Sequence, residues 1–278
     1  GVEPRALQRR NLVRDGDIFP YGQAVRPARA AACWDALEAR CGADRLYAEA
    51  RAFNAGHRRH KKGVAIQPVC FGISFTNRFL NQAYATVHVY NDGSVGVSTG
   101  AVEMGQGVNA KLARIAARAL GAALDRVRVE STNTTRAANT APTAASSGAD
   151  LNGHAVRLAC EELRATLGRA AAQRLGVADP ARVDFCDGEV RLDGRPAGLG
   201  WDELAGGAWR QRLRLSAQAH YATPGLAFDP KTERGDAFAY HVFGAAVVEA
   251  TVDGLRGTYT IDRVRIVHDG GRPLDERI

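Results

Sequence analysis

A hairpin signal followed by a glycine-rich loop and an amphipathic helix restricts the fold of this 278-residue chain more than any other feature. Residues 83–90 and 95–99 are β-prone and flank Asn91-Asp92-Gly93-Ser94. An Asp-Gly pair between two such runs is a strong signal for a tight turn joining antiparallel strands. Apolar residues at the helical period then predict a helix that Gly121 ends; they are Leu112, Ile115, Ala116, Ala119 and Leu120.

The remaining pattern predicts an α+β fold with mixed and antiparallel sheets and packed helices. Further strands are expected at 64–75, 126–130, 183–186, 189–192, 213–221, 238–252 and 258–267, and further helices at 4–12, 28–54, 151–175 and 201–204. Adjacent hairpins beside separate helices favour this class over a doubly wound sheet. Cys41-Gly42 is expected to break the second helix. No apolar run approaches the ~18 residues of a membrane span, so we expect no membrane contact.

The charge of the chain is concentrated near its start. The net charge is +7, and residues 1–62 hold 13 basic against 7 acidic residues. The run Arg58-Arg59-His60-Lys61-Lys62 lacks the interleaved aromatic residues of a single-strand binder, so we interpret it as a solvated connector. A nucleic-acid-binding module at 51–62 is the alternative. We therefore divide the chain into a mostly helical basic connector region, 1–62, and a second region, 63–278.

The cysteines indicate a reducing, cytoplasmic setting. Their number is odd and no Cys-x-x-Cys pair occurs; they are Cys33, Cys41, Cys70, Cys160 and Cys186. These features argue against a disulfide framework. His57 and His60 lack a cysteine pair at zinc spacing, so we predict no metal held directly by side chains.

The first candidate binding loop spans residues 100–107. Its glycines let a ligand approach the backbone, and the following helix start offers free N–H groups. Gln106-Gly107 replaces the Lys-Ser/Thr of a nucleotide P-loop, which argues against phosphoryl chemistry. A dinucleotide fingerprint, Gly105-x-Gly107-x-x-Ala110 with Glu130 20 residues further on, stays open. A bound ligand and a plain helix-opening turn are equally compatible with these residues.

The second candidate loop, residues 139–150, is built of small and hydroxyl side chains ahead of a helix. Such a segment could cradle a phosphate or a polar ring edge, or it could simply cap the helix. Two loops of this kind suggest one shared anion. A third segment, residues 71–76, mixes aromatic and hydroxyl side chains, as a pocket wall or an ordinary core strand would.

Taken together, these three segments resemble the xanthine dehydrogenase branch of the molybdenum hydroxylase family. The resemblance is carried by Phe71-Gly72-Ile73-Ser74-Phe75-Thr76 with Leu80-Asn81-Gln82-Ala83, by Glu103-Met104-Gly105-Gln106-Gly107, and by Thr143-Ala144-Ala145-Ser146-Ser147-Gly148-Ala149-Asp150. Residues 63–160 match closely, residues 221–278 more loosely, and residues 177–212 match no pattern. The resemblance implies a fold of the molybdopterin-binding-domain type, truncated at both ends relative to the family. The chain opens on Gly1, which also suggests a fragment.

The resemblance implies an oxidoreductase of the xanthine dehydrogenase type. Such an enzyme hydroxylates hypoxanthine or xanthine with oxygen from water, using molybdopterin with molybdenum, and passes electrons through 2Fe-2S clusters and FAD to NAD. The implied partners are a purine substrate and an iron–sulfur/FAD subunit in a homo- or hetero-oligomer, without nucleic acid. An aldehyde oxidase-type hydroxylase and a nicotinamide-dinucleotide-binding domain are competing interpretations of the same residues.

The resemblance also assigns residue roles. Cofactor contacts are implied for Met104, Gly105, Gln106, Gly107, Ala145, Ser146 and Ser147, and substrate contacts for Phe75 and Thr76. The family's base, a glutamate in a Gly-Glu-Pro setting, is absent, so we expect no catalytic residue here and an inactive fragment. A Gly-Gly-Gln segment is also absent, Ala101-Val102 replaces the usual Gly-Thr, and Glu103 is expected to be structural.

Overall fold

The structure, a computed structural model, describes residues 1–274. Its α-helices are α1 (Pro4–Arg10), α2 (Ala30–Cys41), α3 (Ala43–Gly56), α4 (Val108–Leu120), α5 (Gly148–Arg174) and α6 (Trp201–Arg210). Its strands are β1 (His60–Ile73), β2 (Gln82–Val89), β3 (Val95–Thr99), β4 (Val127–Val129), β5 (Val183–Cys186), β6 (Glu189–Leu192), β7 (Arg195–Gly200), β8 (Ser216–Ala222), β9 (Ala227–Asp229), β10 (Arg234–Asp236), β11 (Tyr240–Asp253) and β12 (Thr258–Asp269). The predicted α+β class, with mixed and antiparallel sheets, is confirmed.

The first of two compact units comprises Gly1–Ile73 and Ala227–Pro273. Its main sheet has the order β1-β11-β12, all antiparallel. Most residues of its core come from α2, α3 and the sheet, including Trp34, Leu37, Ile66, Phe243 and Val247, and Leu12 and Val25 add to it from the segment before α2. The helical segment breaks where predicted, because Gly42 adopts the left-handed conformation (φ 63°) and its N–H bonds to the carbonyl of Glu38.

Strand β1 begins four residues earlier than predicted and takes up part of the basic run. It pairs with β11 from His60 opposite Asp253 to Ile73 opposite Tyr240. The ammonium group of Lys61 donates to the carbonyl of Asn54 at 2.7 Å. Pairing with a strand almost two hundred residues away extended β1, so local sequence could not indicate its start.

The second unit comprises Ser74–Leu226 together with residue 274. Its main sheet has the order β4-β3-β2-β8. The predicted hairpin is confirmed, since β2 and β3 pair antiparallel with Val89 opposite Val95. Strands β3 and β4 are parallel and are joined by α4. Helices α4 and α5 supply much of the apolar core beside this sheet, including the fully buried Leu112, Leu163 and Leu167.

Two local features of this unit follow from glycine and proline. Gly121 ends α4 in the left-handed conformation (φ 78°), and a Cβ there would lie 2.3 Å from the carbonyl oxygen of Phe185. The sheet β5-β6-β7 contains the predicted hairpin and a third strand that was not predicted. Pro196 and Gly198 obscure the strand pattern in the sequence, because both residues are disfavoured in strands and tolerated at an edge.

No helix within residues 1–274 combines the length and apolarity needed to cross a membrane.

Candidate functional site

The loop between β3 and α4 is folded around the carboxylate of Glu103. Its oxygens accept backbone N–H groups from Gly105 at 3.0 Å, Gly107 at 2.9 Å and Asn109 at 3.0 Å. These bonds, chiefly those from Asn109 and Gly107, hold the pKa of Glu103 below its ordinary value. Glu103 is therefore a structural anchor that occupies amides at the start of α4, as the resemblance implied.

The side chain of Gln106 braces the same loop. Its Nε2 donates to the carbonyl of Val102 at 2.8 Å, and its Oε1 accepts the N–H of Met104 at 2.6 Å. A primary carboxamide has two N–H groups and two acceptor sites. One hydrogen and one lone pair of this exposed side chain are therefore left for a ligand.

The second loop contains two consecutive non-glycine residues in the left-handed conformation, Ala145 (φ 51°) and Ser146 (φ 54°). Such backbone costs roughly 1–2 kcal/mol per residue and is concentrated at binding sites. The following Ser147 is buried, and its hydroxyl donates to the carbonyl of Ala144 at 3.1 Å. Helix α5 begins at Gly148 without a side-chain cap, so its first turn can offer N–H groups to a ligand.

Two direct contacts join the loops. The N–H of Val102 donates to the hydroxyl of Thr143 at 2.9 Å. A Cβ on Gly100 would lie 2.4 Å from the side chain of Thr140, so the backbone of the first loop touches the second loop there. The glycine at position 100 thus permits the close approach of the loops.

The loops meet at a cavity of about 290 Å³. The described residues that line it are Met104, Gln106, Val108, Lys111, Thr143, Ala144, Ser146, Gly148 and Ala149. Its polar groups are a carboxamide, hydroxyls, an ammonium group and the uncapped helix start. These groups suit the hydrogen-bonding edge of a pterin and its phosphate, because amides donate and accept while the ammonium and helix start attract anions. The donor set therefore fits such a cofactor.

Some, but not all, of the residues predicted to contact the cofactor line this cavity. Met104, Gln106 and Ser146 line it, whereas Gly105, Gly107, Ala145 and Ser147 belong to the two loops but are not among the lining residues.

The predicted substrate residues Phe75 and Thr76 also lie outside the cavity lining. Their segment is held by the buried Asn81, whose Oδ1 accepts the N–H of Phe75 and whose Nδ2 donates to the carbonyl of Phe75, both at 2.8 Å.

Sequence reasoning missed Lys111 and Thr143 as cavity residues. Lys111 is half-buried in the first turn of α4, where the helix dipole disfavours a cation unless an anion is near. A lysine at this unfavourable place in the helix is the feature of the sequence that could have identified Lys111. Thr143 had no comparable signal, because its contact depends on how the two loops meet.

A larger cavity, of about 910 Å³, lies over the polar face of β2, β3 and β8. Glu130, the residue that a dinucleotide site would use for its ribose, lines this second cavity and forms an ion pair with Arg136. The parallel pair β3–β4 agrees with the dinucleotide alternative, but the antiparallel hairpin and the amides occupied by Glu103 argue against it.

Among residues 1–274, no three His, Cys, Asp or Glu side chains are placed to hold a metal ion, and all five cysteines are free.

Comparison with known proteins decides the family. The family described as "Molybdopterin cofactor-binding domain" matches residues 36–278. Xanthine dehydrogenase 1 of Arabidopsis thaliana is 35% identical over 275 residues, which cover 99% of this chain and 19% of that protein. The chain belongs to the molybdenum hydroxylase family. Xanthine dehydrogenase/oxidase of Mus musculus is 34% identical over 278 residues, covering 100% of this chain and 19% of that protein.

Solved structures share the fold of this molybdopterin-binding chain. Quinoline 2-oxidoreductase from Pseudomonas putida 86 superposes with a TM-score of 0.77 at 21% identity, over 96% of this chain and 34% of that chain. Aldehyde oxidoreductase from Desulfovibrio gigas gives a TM-score of 0.72 at 24% identity, over 96% of this chain and 26% of that chain. The chain spans about a fifth of the length of the curated relatives it matches.

Proposed function

We propose that this chain binds the pterin of a molybdenum cofactor at the cavity shared by its two loops. The observation that carries the proposal is that Gln106 and Ser146, from loops 40 residues apart in sequence, line one cavity. The membership of the chain in a molybdopterin-binding family makes the pterin the expected ligand.

Different residues of the two loops and helices would contact different parts of the cofactor. The unused hydrogen and lone pair of the Gln106 carboxamide would bond to the pterin edge, with Met104, Gly105 and Gly107 beside it. Ser146 would form part of the opposite wall, and Ala145 and Ser147, which lie outside the cavity lining, would fix the conformation of its loop. The ammonium group of Lys111 and the first turn of α5 would attract the phosphate.

The enzyme that we propose is a purine hydroxylase of the xanthine dehydrogenase type. The bound cofactor would supply the redox chemistry that hydroxylates an electron-poor ring carbon of hypoxanthine or xanthine with oxygen from water. Phe75 would pack against the ring and Thr76 would hydrogen-bond to it. Electron transfer to NAD would need 2Fe-2S clusters and FAD on a partner subunit or domain, in a cytoplasmic oligomer. The division into a connector region, 1–62, and a cofactor region, 63–278, is part of the same proposal.

The test is made on the intact gene product, expressed with its iron–sulfur/FAD partner. Molybdenum and released pterin are measured per chain, and oxidation of hypoxanthine is compared with oxidation of an aromatic aldehyde. We expect Gln106→Ala to lower the pterin content, and hypoxanthine to be the better substrate. Normal metal loading and turnover in Gln106→Ala would refute the role of Gln106, and a preference for the aldehyde would move the protein to the aldehyde oxidase type.

A further inference from the structure

The peptide groups on either side of Val102 connect the second loop to the side chain of Gln106. The N–H of Val102 donates to the hydroxyl of Thr143 at 2.9 Å. The carbonyl of Val102 accepts from Nε2 of Gln106 at 2.8 Å. The carboxamide of Gln106 is therefore held by a residue whose own position is held by the other loop.

We propose that Thr143 is a positioning residue, which sets the orientation of the Gln106 carboxamide through the backbone of Val102. This inference rests on the proposed function, in which the carboxamide meets the pterin. A carboxamide offers its remaining donor and acceptor in fixed directions, so a rotation of the side chain would misplace both. Thr143 does not need to touch the cofactor to affect its binding.

Both branches of the Thr143 side chain make contacts. The hydroxyl accepts from Val102, while the methyl group lies against the first residue of α5, since a Cβ on Gly148 would be 3.2 Å from Cγ2 of Thr143. Valine would keep the methyl contact and lose the acceptor. Serine would keep the acceptor and lose the methyl contact. Alanine would lose both, so the serine–alanine pair differs only in the hydroxyl.

The experiment compares Thr143→Val, Thr143→Ser and Thr143→Ala in the intact gene product, with Gln106→Ala alongside. Amide hydrogen exchange is measured at Val102 and Met104, because the N–H of Met104 is bound by Oε1 of Gln106. Pterin and molybdenum per chain and the thermal midpoint are measured on the same samples.

We expect Thr143→Val to speed exchange at both amides by about three- to tenfold, which corresponds to the loss of one hydrogen bond. Its pterin content should fall with little change in the thermal midpoint. Thr143→Ser should restore both readouts. If Thr143→Val proves unstable, the serine–alanine pair gives the same comparison, with faster exchange and lower pterin content only in alanine.

The two proposals fail in different ways. If Gln106→Ala loses pterin while Thr143→Val keeps wild-type exchange at Met104 and wild-type pterin content, the positioning role is overturned and the binding site stands. If Gln106→Ala keeps its pterin, the binding role of Gln106 fails, and the exchange rates still decide whether Thr143 orders its side chain.

Discussion

The side chain of Thr140 fills the space that any side chain at Gly100 would need. A Cβ on Gly100 would lie 2.4 Å from Cβ of Thr140, well inside the contact distance of real side chains. We therefore expect Gly100→Ala to push the two loops apart and to destabilise the fold by about 1–3 kcal/mol, as overpacking does. Thermal denaturation, with hydrogen exchange over residues 139–143, measures both effects.

Gly168→Ala is the matched control for that substitution. Gly168 lies inside α5, and a Cβ there would meet nothing within 4 Å. Alanine is favoured over glycine in a helix by roughly 1 kcal/mol, so this variant should be as stable as the wild type or more stable. Equal stability of Gly100→Ala and Gly168→Ala would contradict the close approach of the loops.

The ionised form of Glu103 should stabilise the first loop in a pH-dependent way. Backbone N–H groups, chiefly those of Asn109 and Gly107, lower the pKa of Glu103 in the folded state. The contribution of a carboxylate with a lowered pKa is present above its ordinary value of 4.5 and is lost as the pH falls through the folded value. Glu103→Gln should therefore lower the thermal midpoint near neutral pH, and the difference from wild type should vanish in acid.

Thermal midpoints of wild type and Glu103→Gln across the acid range measure this dependence. Glu161→Gln is the control, because Glu161 is exposed on α5 and pairs there with Arg157. Its effect should be small at every pH. A difference between wild type and Glu103→Gln that stays constant down to strong acid would show that the charge of Glu103 is not what holds the loop.

The buried Asn81 should be necessary for the conformation of the proposed substrate segment. Its side chain satisfies both the N–H and the carbonyl of Phe75. Asn81→Ala would leave these groups without that partner, and we expect a loss of about 1–3 kcal/mol in the free energy of unfolding. Urea denaturation and the backbone amide shift of Phe75 measure the change, and an unaltered amide shift would contradict it.

The parts of the fold that local signals specify could be predicted from the sequence. Strand β3 spans 95–99 as predicted, because the Asp-Gly turn fixes its start, and α4 ends at Gly121 as predicted. Strand β7 was missed, because Pro196 and Gly198 mask a strand that pairing with β6 stabilises. Likewise β8 begins at Ser216 instead of 213, since the end of its pairing with β2 depends on residues far away in sequence.

The candidate site shows the same division between local and distant signals. Glycines and small residues predicted both loops, because close approach of a backbone to a ligand needs them. The lining was predictable only in part: Met104, Gln106 and Ser146 are predicted contacts that face the cavity, whereas the place of Thr143 depends on how the loops meet. Ser147 lies buried beneath its loop, whereas Thr143, four residues earlier, faces both the cavity and the first loop.

The five cysteines should differ sharply in reactivity. Burial raises the pKa of Cys160 to about 12, so its thiol stays neutral and shielded near neutral pH. Cys33 and Cys41 are also buried with raised pKa values, whereas Cys70 and Cys186 are exposed, although partial burial raises the pKa of the Cys70 thiol as well. Maleimide labelling followed by mass spectrometry should modify only the last two in the folded chain. Labelling of Cys160 before unfolding would contradict the packing of α5.

Lys111 should strengthen cofactor binding through its charge. It is a half-buried cation that lines the cavity in the first turn of α4; no residue of that turn is acidic, and the carboxylate of Glu103 is already bonded to amides at the start of the helix. Because the helix dipole opposes a cation there, the ammonium group gains most when an anion such as the pterin phosphate occupies the cavity. Lys111→Gln should therefore lower the pterin content of the intact protein several-fold, while the ligand-free chain becomes no less stable.

Lys231→Gln removes the same charge from an exposed turn and serves as the control for Lys111→Gln. Pterin content is measured at low and high salt, because added ions screen the attraction between an ammonium group and a phosphate. Wild type should lose pterin as the salt concentration rises, and Lys111→Gln should be less sensitive. If both variants keep wild-type pterin content at every salt concentration, the phosphate does not lie beside Lys111, and the start of α5 alone would have to hold it.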